Sequence, residues 1–357
     1  MKLIIRKWWA SVVLIFSMVI LSACGSSSST KQSNSSPGTG DQPTEIRIGY
    51  QVIPNAELLA KAIGIYEKKF EGVKVNWRQF DSARDVNTAI TSGSIDFGLI
   101  GSSSVATGVA QNLPYQVIWL HDVIGDNEAL VVKKGSGINT FSDVVGKKIA
   151  VPFGSTTHYS FLSALKLNGI DQSKVTLLDM QPQDMLAAWK QGQIDGGYVW
   201  YPILGKMIDD GGKVLLTSRD LSKKGIVTAD VCVASKSFIQ KYPAMVTKYI
   251  EALDEAVKFY RSNKGEAVKA MAKELNVSES DAGLFMDQLI WLDASEQAGS
   301  NHLGTTNNKG AFAQALKDTG EFMVTQKSIP SAPALDVYQQ AIQSQFVSKV
   351  KESKSGK

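Results

Sequence analysis

Apolar and polar positions change period along this chain, and the changes mark out alternating strands and helices. Residues 45–50 alternate and read as a strand. Residues 55–69 carry Leu58, Leu59, Ala62 and Ile65 on one side, the spacing of a helix. A second strand is expected at 73–77, and a helix at 82–92 that ends at Gly93. A third strand, 95–100, runs into Gly101-Ser102-Ser103-Ser104 and a further helix. Strand alternating with helix predicts a parallel-type sheet covered by helices.

The plan then repeats. Strands are expected at 148–151, 175–178 and 194–200, with helical patterns at 159–166 and 184–190. Ala89, Gly93, Ile95, Asp96 and Gly98 return as Ala188, Gly192, Ile194, Asp195 and Gly197, each 99 residues on. Two lobes of one topology explain this. The chain should cross between them near 127–132 and again near 229–233. That gives a second lobe over 129–230 and a discontinuous first lobe over 44–128 plus 231–350. Amphipathic helices follow at 242–261, 264–275, 278–291, 309–325 and 336–350, and 351–357 should fray.

The ends and the charge add a compartment. The chain has 357 residues, 43% hydrophobic and 20% charged, enough for two ordinary domains. Lys2, Arg6 and Lys7 precede an apolar run over 8–21, which has the length of a signal-peptide core and is short for a membrane span. Leu21-Ser22-Ala23-Cys24-Gly25 resembles the lipobox of bacterial lipoproteins, so residues 1–23 are expected to be removed and Cys24 lipidated. Residues 24–43 are rich in Ser, Thr, Asn, Gly and Pro and should form a flexible tether. The other cysteine is Cys232, which leaves no disulfide once Cys24 carries lipid and no Cys-based metal site. Of 38 basic and 34 acidic residues, residues 1–23 hold three basic ones and no acidic one. Their loss leaves 35 against 34, a balance that gives no electrostatic case for nucleic acid.

Two turns carry the candidate chemistry. Gly101-Ser102-Ser103 and Ser155-Thr156-Thr157-His158 each follow a strand and open a helix. Helix starts expose unpaired backbone N–H groups and the positive end of the helix dipole, a site for an anion with several oxygens. Neither turn contains Lys or Arg, so neutral donors would bind the anion. Taken singly, each turn reads equally as an ordinary helix cap. Both sit where ligands collect in open α/β sheets, outside the carboxyl ends of strands. His158 falls in the first helical turn, where its ring could donate to a ligand or pack beneath the turn. His121 and His302 read as structural or surface residues. No Gly-x-Ser-x-Gly elbow or His-Glu-x-x-His zinc signature is present.

Five segments together carry a family resemblance: Val75-Asn76-Trp77-Arg78-Gln79-Phe80-Asp81-Ser82, Leu99-Ile100-Gly101-Ser102-Ser103, Asn127-Glu128-Ala129-Leu130-Val131-Val132-Lys133-Lys134, Ala150-Val151-Pro152-Phe153-Gly154-Ser155-Thr156-Thr157-His158-Tyr159-Ser160 and Ile194-Asp195-Gly196-Gly197-Tyr198-Val199-Trp200. On these, residues 45–346 resemble the solute-binding lipoproteins of ABC importers for taurine and aliphatic sulfonates. The resemblance implies a type II periplasmic-binding-protein fold, two α/β lobes joined by two crossings with the ligand cleft between them. It implies a monomer without catalysis, cofactor or metal, anchored by lipid at the outer face of the cell membrane. Such a protein hands its solute to a membrane permease and that permease's ATPase subunit.

For taurine the two hydroxyl-rich turns would share the sulfonate, and the ammonium would need acceptors. Glu128 and Asp230, the acids at the crossings, are the candidates, with a hinge salt bridge as the other reading. Trp200 would form a cleft wall and a cation–π contact, or else pack in the core. Gln51 is a further polar residue at a strand exit. The open alternatives are the same fold with another small ligand (an alkanesulfonate, nitrate or a pyrimidine) and an enzyme like the thiamine-precursor synthases. Two positions depart from the family pattern near the expected cleft: Tyr201 before Pro202, where a small residue is usual, and Cys232, where an aromatic one is common.

Overall fold

In a computed structural model that describes residues 42–355, the strands assemble into two five-stranded sheets. They are β1 (Glu45–Tyr50), β2 (Lys74–Gln79), β3 (Phe97–Gly101), β4 (Tyr115–Val123), β5 (Glu128–Val132), β6 (Lys148–Val151), β7 (Thr176–Asp179), β8 (Gly196–Trp200), β9 (Lys213–Thr217) and β10 (Ala229–Ser235). One sheet runs β2-β1-β3-β10-β4 and the other β7-β6-β8-β5-β9. The two orders are the same pattern, and β10 and β5 are the strands that follow each crossing. The expectations for residues 1–23, for Cys24 and for the tether up to residue 41 lie outside the described residues.

The sheets are mixed, which corrects the expectation of a parallel one. β1 runs parallel to β2 and β3, and β6 runs parallel to β7 and β8. β10 is antiparallel to β3 and β4, and β5 to β8 and β9. A chain that crosses from the other lobe enters the sheet against the direction of its neighbours.

The helices are α1 (Ala56–Ala62), α2 (Ile65–Lys69), α3 (Ala83–Thr91), α4 (Ser102–Ala110), α5 (Thr156–Leu167), α6 (Pro182–Lys190), α7 (Ile203–Asp209), α8 (Ser218–Ser222), α9 (Lys236–Lys241), α10 (Pro243–Ser262), α11 (Lys264–Leu275), α12 (Glu279–Asp287), α13 (Ala294–Gln297), α14 (Phe312–Thr325), α15 (Leu335–Gln340) and α16 (Gln345–Ser355). Two expected helices are each divided. Gly64, at φ 70°, separates α1 from α2, since a left-handed residue cannot continue a right-handed helix. Between α15 and α16 the chain leaves the helix to bond β4: Val117 N–H donates to Ala341 O, and Gln343 N–H to Val117 O.

The internal repeat survives at the level of single hydrogen bonds. Asp96 accepts from the backbone N–H of Arg47 on β1 at 2.9 Å, and Asp195 accepts from that of Lys148 on β6 at 2.8 Å. Each acid thus ties the start of the third strand of its sheet to the first. Gly98 and Gly197 likewise lie against matching positions of α3 and α6, where an added Cβ would come 2.6 Å from Val86 Cγ1 and 2.5 Å from Met185 Sδ. Ile46, Ile48, Phe97 and Trp119 are buried on the first sheet, and Leu130, Ile149, Val151 and Tyr198 on the second.

Candidate functional site

The carboxyl ends of β1, β3, β6 and β8 converge on one cleft between the sheets. Gln51, Gly101, Ser155 and Trp200 come from those four ends, and Glu128, Thr156 and Asp230 join them. Ile53, Pro54, Tyr201 and Leu289 add apolar walls.

Both helix starts reach this region, but they differ. Gly101, the residue before α4, provides no side-chain cap, so the first N–H groups of α4 have no partner of that kind. At α5, Ser155 accepts from His158 N–H at 3.2 Å and donates to Pro152 O at 2.6 Å, which leaves the N–H groups of Thr156 and Thr157 uncapped. The two starts nearly touch: a Cβ on Gly101 would meet Thr156 Cγ2 at 2.6 Å. Only glycine there lets the two sheets approach this closely.

Three buried carboxyls lie beside these starts and form an acidic pole. Glu128 opens β5; its Oε1 accepts from Thr156 Oγ1 at 2.5 Å and its Oε2 from Ser218 Oγ at 3.3 Å. Asp230 lies on β10 directly opposite Asp122 of β4. Burial, then repulsion by Asp230, pushes the Glu128 carboxyl up to about 8. Burial pushes Asp230 up to about 7, and burial with repulsion from Asp230 and Glu128 raises Asp122 well above the carboxylate range. Among the described residues no Lys or Arg forms an ion pair with any of the three; their charges act on one another. Both Asp122 oxygens are buried without a hydrogen-bond partner. Such a group of acids is stable only if protons or a cation neutralise it.

The structure therefore brings Gln51, Glu128, Ser155, Thr156, Trp200 and Asp230 together as cleft residues. Gln51 is buried and donates from Nε2 to Leu99 O at 3.0 Å, so it braces a wall. Ser102, Ser103, Thr157 and His158 do not line the cleft. Ser102 Oγ accepts from Ala229 N–H at 3.1 Å, and Ser103 Oγ donates to Gly154 O, in the turn before α5, at 3.3 Å. Thr157 Oγ1 donates to Ser155 Oγ at 2.8 Å, since the Ser155 proton goes to Pro152 O. His158 stacks on Phe153 at 4.5 Å between centroids, and its Nδ1 accepts from Gly154 N–H at 3.2 Å. Burial pushes its imidazole down to about 4, so it packs neutral beneath the turn. His121 is fully buried, and His302 is bonded to Glu296 O at 2.9 Å. Cys232 lies in the core away from the cleft, whereas Tyr201 does line it and stacks on Phe285 at 4.0 Å.

Asp122 is the residue that the sequence did not reveal. Its signal was an Asp that ends the apolar run 117–120 one position late, in a strand that had not been anticipated. Pairing with Asp230 is a tertiary fact, and no local pattern contains it.

Comparison with known proteins finds relatives over most of the chain. The family model described as NMT1/THI5 like matches residues 56–267. The taurine-binding periplasmic protein of Escherichia coli is 35% identical over 312 residues, which span 86% of this chain and 93% of that protein. Among solved structures, the alkanesulfonate-binding protein SsuA of Xanthomonas axonopodis pv. citri, bound to MOPS, superposes with a TM-score of 0.70 at 21% identity, covering 85% of this chain and 99% of that one. The aliphatic sulphonate binding protein SsuA of E. coli gives 0.67 at 22%, covering 84% and 98%. These two are likenesses of fold.

Proposed function

The chain belongs to the NMT1/THI5-like family, and on that premise we propose that it is the extracytoplasmic solute-binding protein of an ABC importer, with taurine as its ligand. One observation carries the choice of ligand. A single cleft holds uncapped helix starts and, directly beside them, buried carboxyls that pair with no Lys or Arg among the described residues. A small zwitterion with a sulfonate at one end and an ammonium at the other matches both poles. An alkanesulfonate or nitrate would match the first and leave the acids uncompensated. A pyrimidine would have no use for the anion-binding helix starts. Nothing in this arrangement calls for bond-breaking chemistry, and the relative with which the chain shares 35% identity is a binding protein rather than an enzyme.

In this reading the first N–H groups of α4 and α5 hold the sulfonate, and Thr156 and Ser155 turn their hydroxyls onto it from Glu128 and Pro152. Asp230 and Glu128 read the amine, with Asp122 behind Asp230, while Trp200 and Tyr201 wall the ethylene chain. Ser102, Ser103, Thr157 and His158 shape the two turns and hold them together. The lobes are 44–128 with 231–350 and 129–230, consistent with the strands that each sheet takes. Residues 1–23 act as a signal peptide, Cys24 carries the lipid, and residues up to 43 tether a monomer that delivers taurine to the permease and its ATPase subunit.

Asp230→Asn tests the amine reading. Losing a charge-assisted bond should lower taurine affinity about tenfold or more, while ethanesulfonate, which has no cation, should bind equally or more tightly. Calorimetric titration of both ligands into wild type and variant decides. A parallel loss for the two ligands would mean that Asp230 serves the crossing and that taurine is not distinguished there.

A further inference from the structure

We propose that the first lobe carries a buried divalent-metal site made by Glu57, His121 and Cys232, of the kind that zinc occupies. The three residues come from separate elements, α1, β4 and β10, and all are fully buried. One ligating atom from each lies within 4.8 Å of the other two. None of the three lines the cleft, so this site is distinct from solute capture.

How His121 arrives there is visible in the strand register. β10 pairs Asp230 with Asp122 and the next residue, Val231, with Leu120, so His121 is the extra residue of a β-bulge. Bulges re-aim a side chain, and this one sets an imidazole beside Cys232. Both ring nitrogens of His121 and Oε1 of Glu57 are buried without any hydrogen-bond partner. The Cys232 thiol makes a long contact, 3.7 Å, to the carbonyl of Val233, and the Tyr249 hydroxyl and the Gly98 backbone also act on its sulfur. The second Glu57 oxygen accepts from the Tyr249 hydroxyl, which orients the carboxyl.

Each orphaned buried polar atom has lost its water without gaining a partner, which destabilises the fold. One divalent ion would take electron pairs from oxygen, nitrogen and sulfur at once. Zinc binds such donors at about 2.0–2.3 Å, which places the donors roughly 3.5 Å from one another. Moving three side chains inward by about 1 Å would suffice. The charges also balance, since a thiolate and a carboxylate neutralise a divalent cation and the imidazole ligates as the neutral form. The mixed set with sulfur excludes calcium and magnesium, which take oxygen donors. Counting cysteines along the sequence excluded a Cys-based site; a single cysteine joined by a distant His and Glu escapes that count. The enclosure implies that the ion enters as the lobe folds.

The test uses the full chain unfolded in guanidinium with a chelator, refolded with Co²⁺, and desalted. About one equivalent of cobalt should remain, with near-ultraviolet thiolate-to-cobalt absorption. Cys232→Ser should abolish that band and reduce the retained metal about tenfold or more. Should the variant fail to refold, Cys24→Ala, which leaves Cys232 as the one thiol of the chain, decides by its spectrum. Refolded wild type that retains less than about a tenth of an equivalent, or retains cobalt without the band, overturns the site and leaves a proton-sharing cluster of the three groups. A band that persists in Cys232→Ser places the thiolate at Cys24, and likewise overturns it.

Discussion

Glu128 sits where two hydroxyls donate to it and an acid repels it, and burial with that repulsion pushes its carboxyl from an ordinary 4.5 up to about 8. A group whose folded value is raised contributes stability that is present below the ordinary value and lost as pH rises through the folded one. The ligand-free protein should therefore lose stability between pH 5 and about 8 from this group. An ammonium reverses the preference, since it favours the ionised carboxylate. Taurine affinity is expected to rise about tenfold between pH 6.5 and 8, because the ionised fraction of such a group grows by that order. Ethanesulfonate affinity should stay level or fall. Calorimetry across that range checks both, and a flat taurine profile would remove Glu128 from the amine pole.

At the scale of elements, the repeat makes a controlled comparison within one chain. Gly98 and Gly197 occupy equivalent places on β3 and β8 and press against α3 and α6. An added methyl at Gly98 would lie 2.6 Å from a γ-carbon of Val86, which is β-branched and confined in χ1. At Gly197 it would lie 2.5 Å from the Met185 sulfur, on an unbranched side chain that can swing aside. Gly98→Ala should destabilise by about 1–3 kcal/mol, the usual cost of overpacking, and Gly197→Ala by less. Denaturant titrations of the two variants test the order. Equal losses would show that the helices themselves must move in both lobes.

For the whole molecule, capture between two sheets must be coupled to a membrane permease. Cys24 and the tether are the proposed means, since a lipid on Cys24 would hold a mobile body near the membrane. Cys24→Ala is expected to release the chain into the surrounding fluid or to leave it unprocessed, as fractionation and immunoblotting would show. Finding an unmodified Cys24 by mass spectrometry of membrane-bound wild type would overturn the anchor. Taurine binding by the soluble variant should be unchanged, because Cys24 lies outside the described body that holds the cleft.

Sequence periodicity determined the alternation of strand and helix, the repeat over 99 residues and the two hydroxyl-rich helix starts. These are local: a period of two or 3.6, a glycine after a strand, a hydroxyl at a helix start. Local patterns also misled, because nothing near residues 341–344 announces that β4 will draw them out of a helix. Tertiary structure alone decided which strands run antiparallel, since that follows from the direction in which each crossing re-enters its sheet. It alone set Asp122 against Asp230, turned Thr156 onto Glu128, and gathered Glu57, His121 and Cys232. A side chain's charge state and partner depend on what the fold carries to it from far along the chain. His158 shows the limit: its place in the turn was legible from the sequence, but whether its ring faced solute or Phe153 depended on packing.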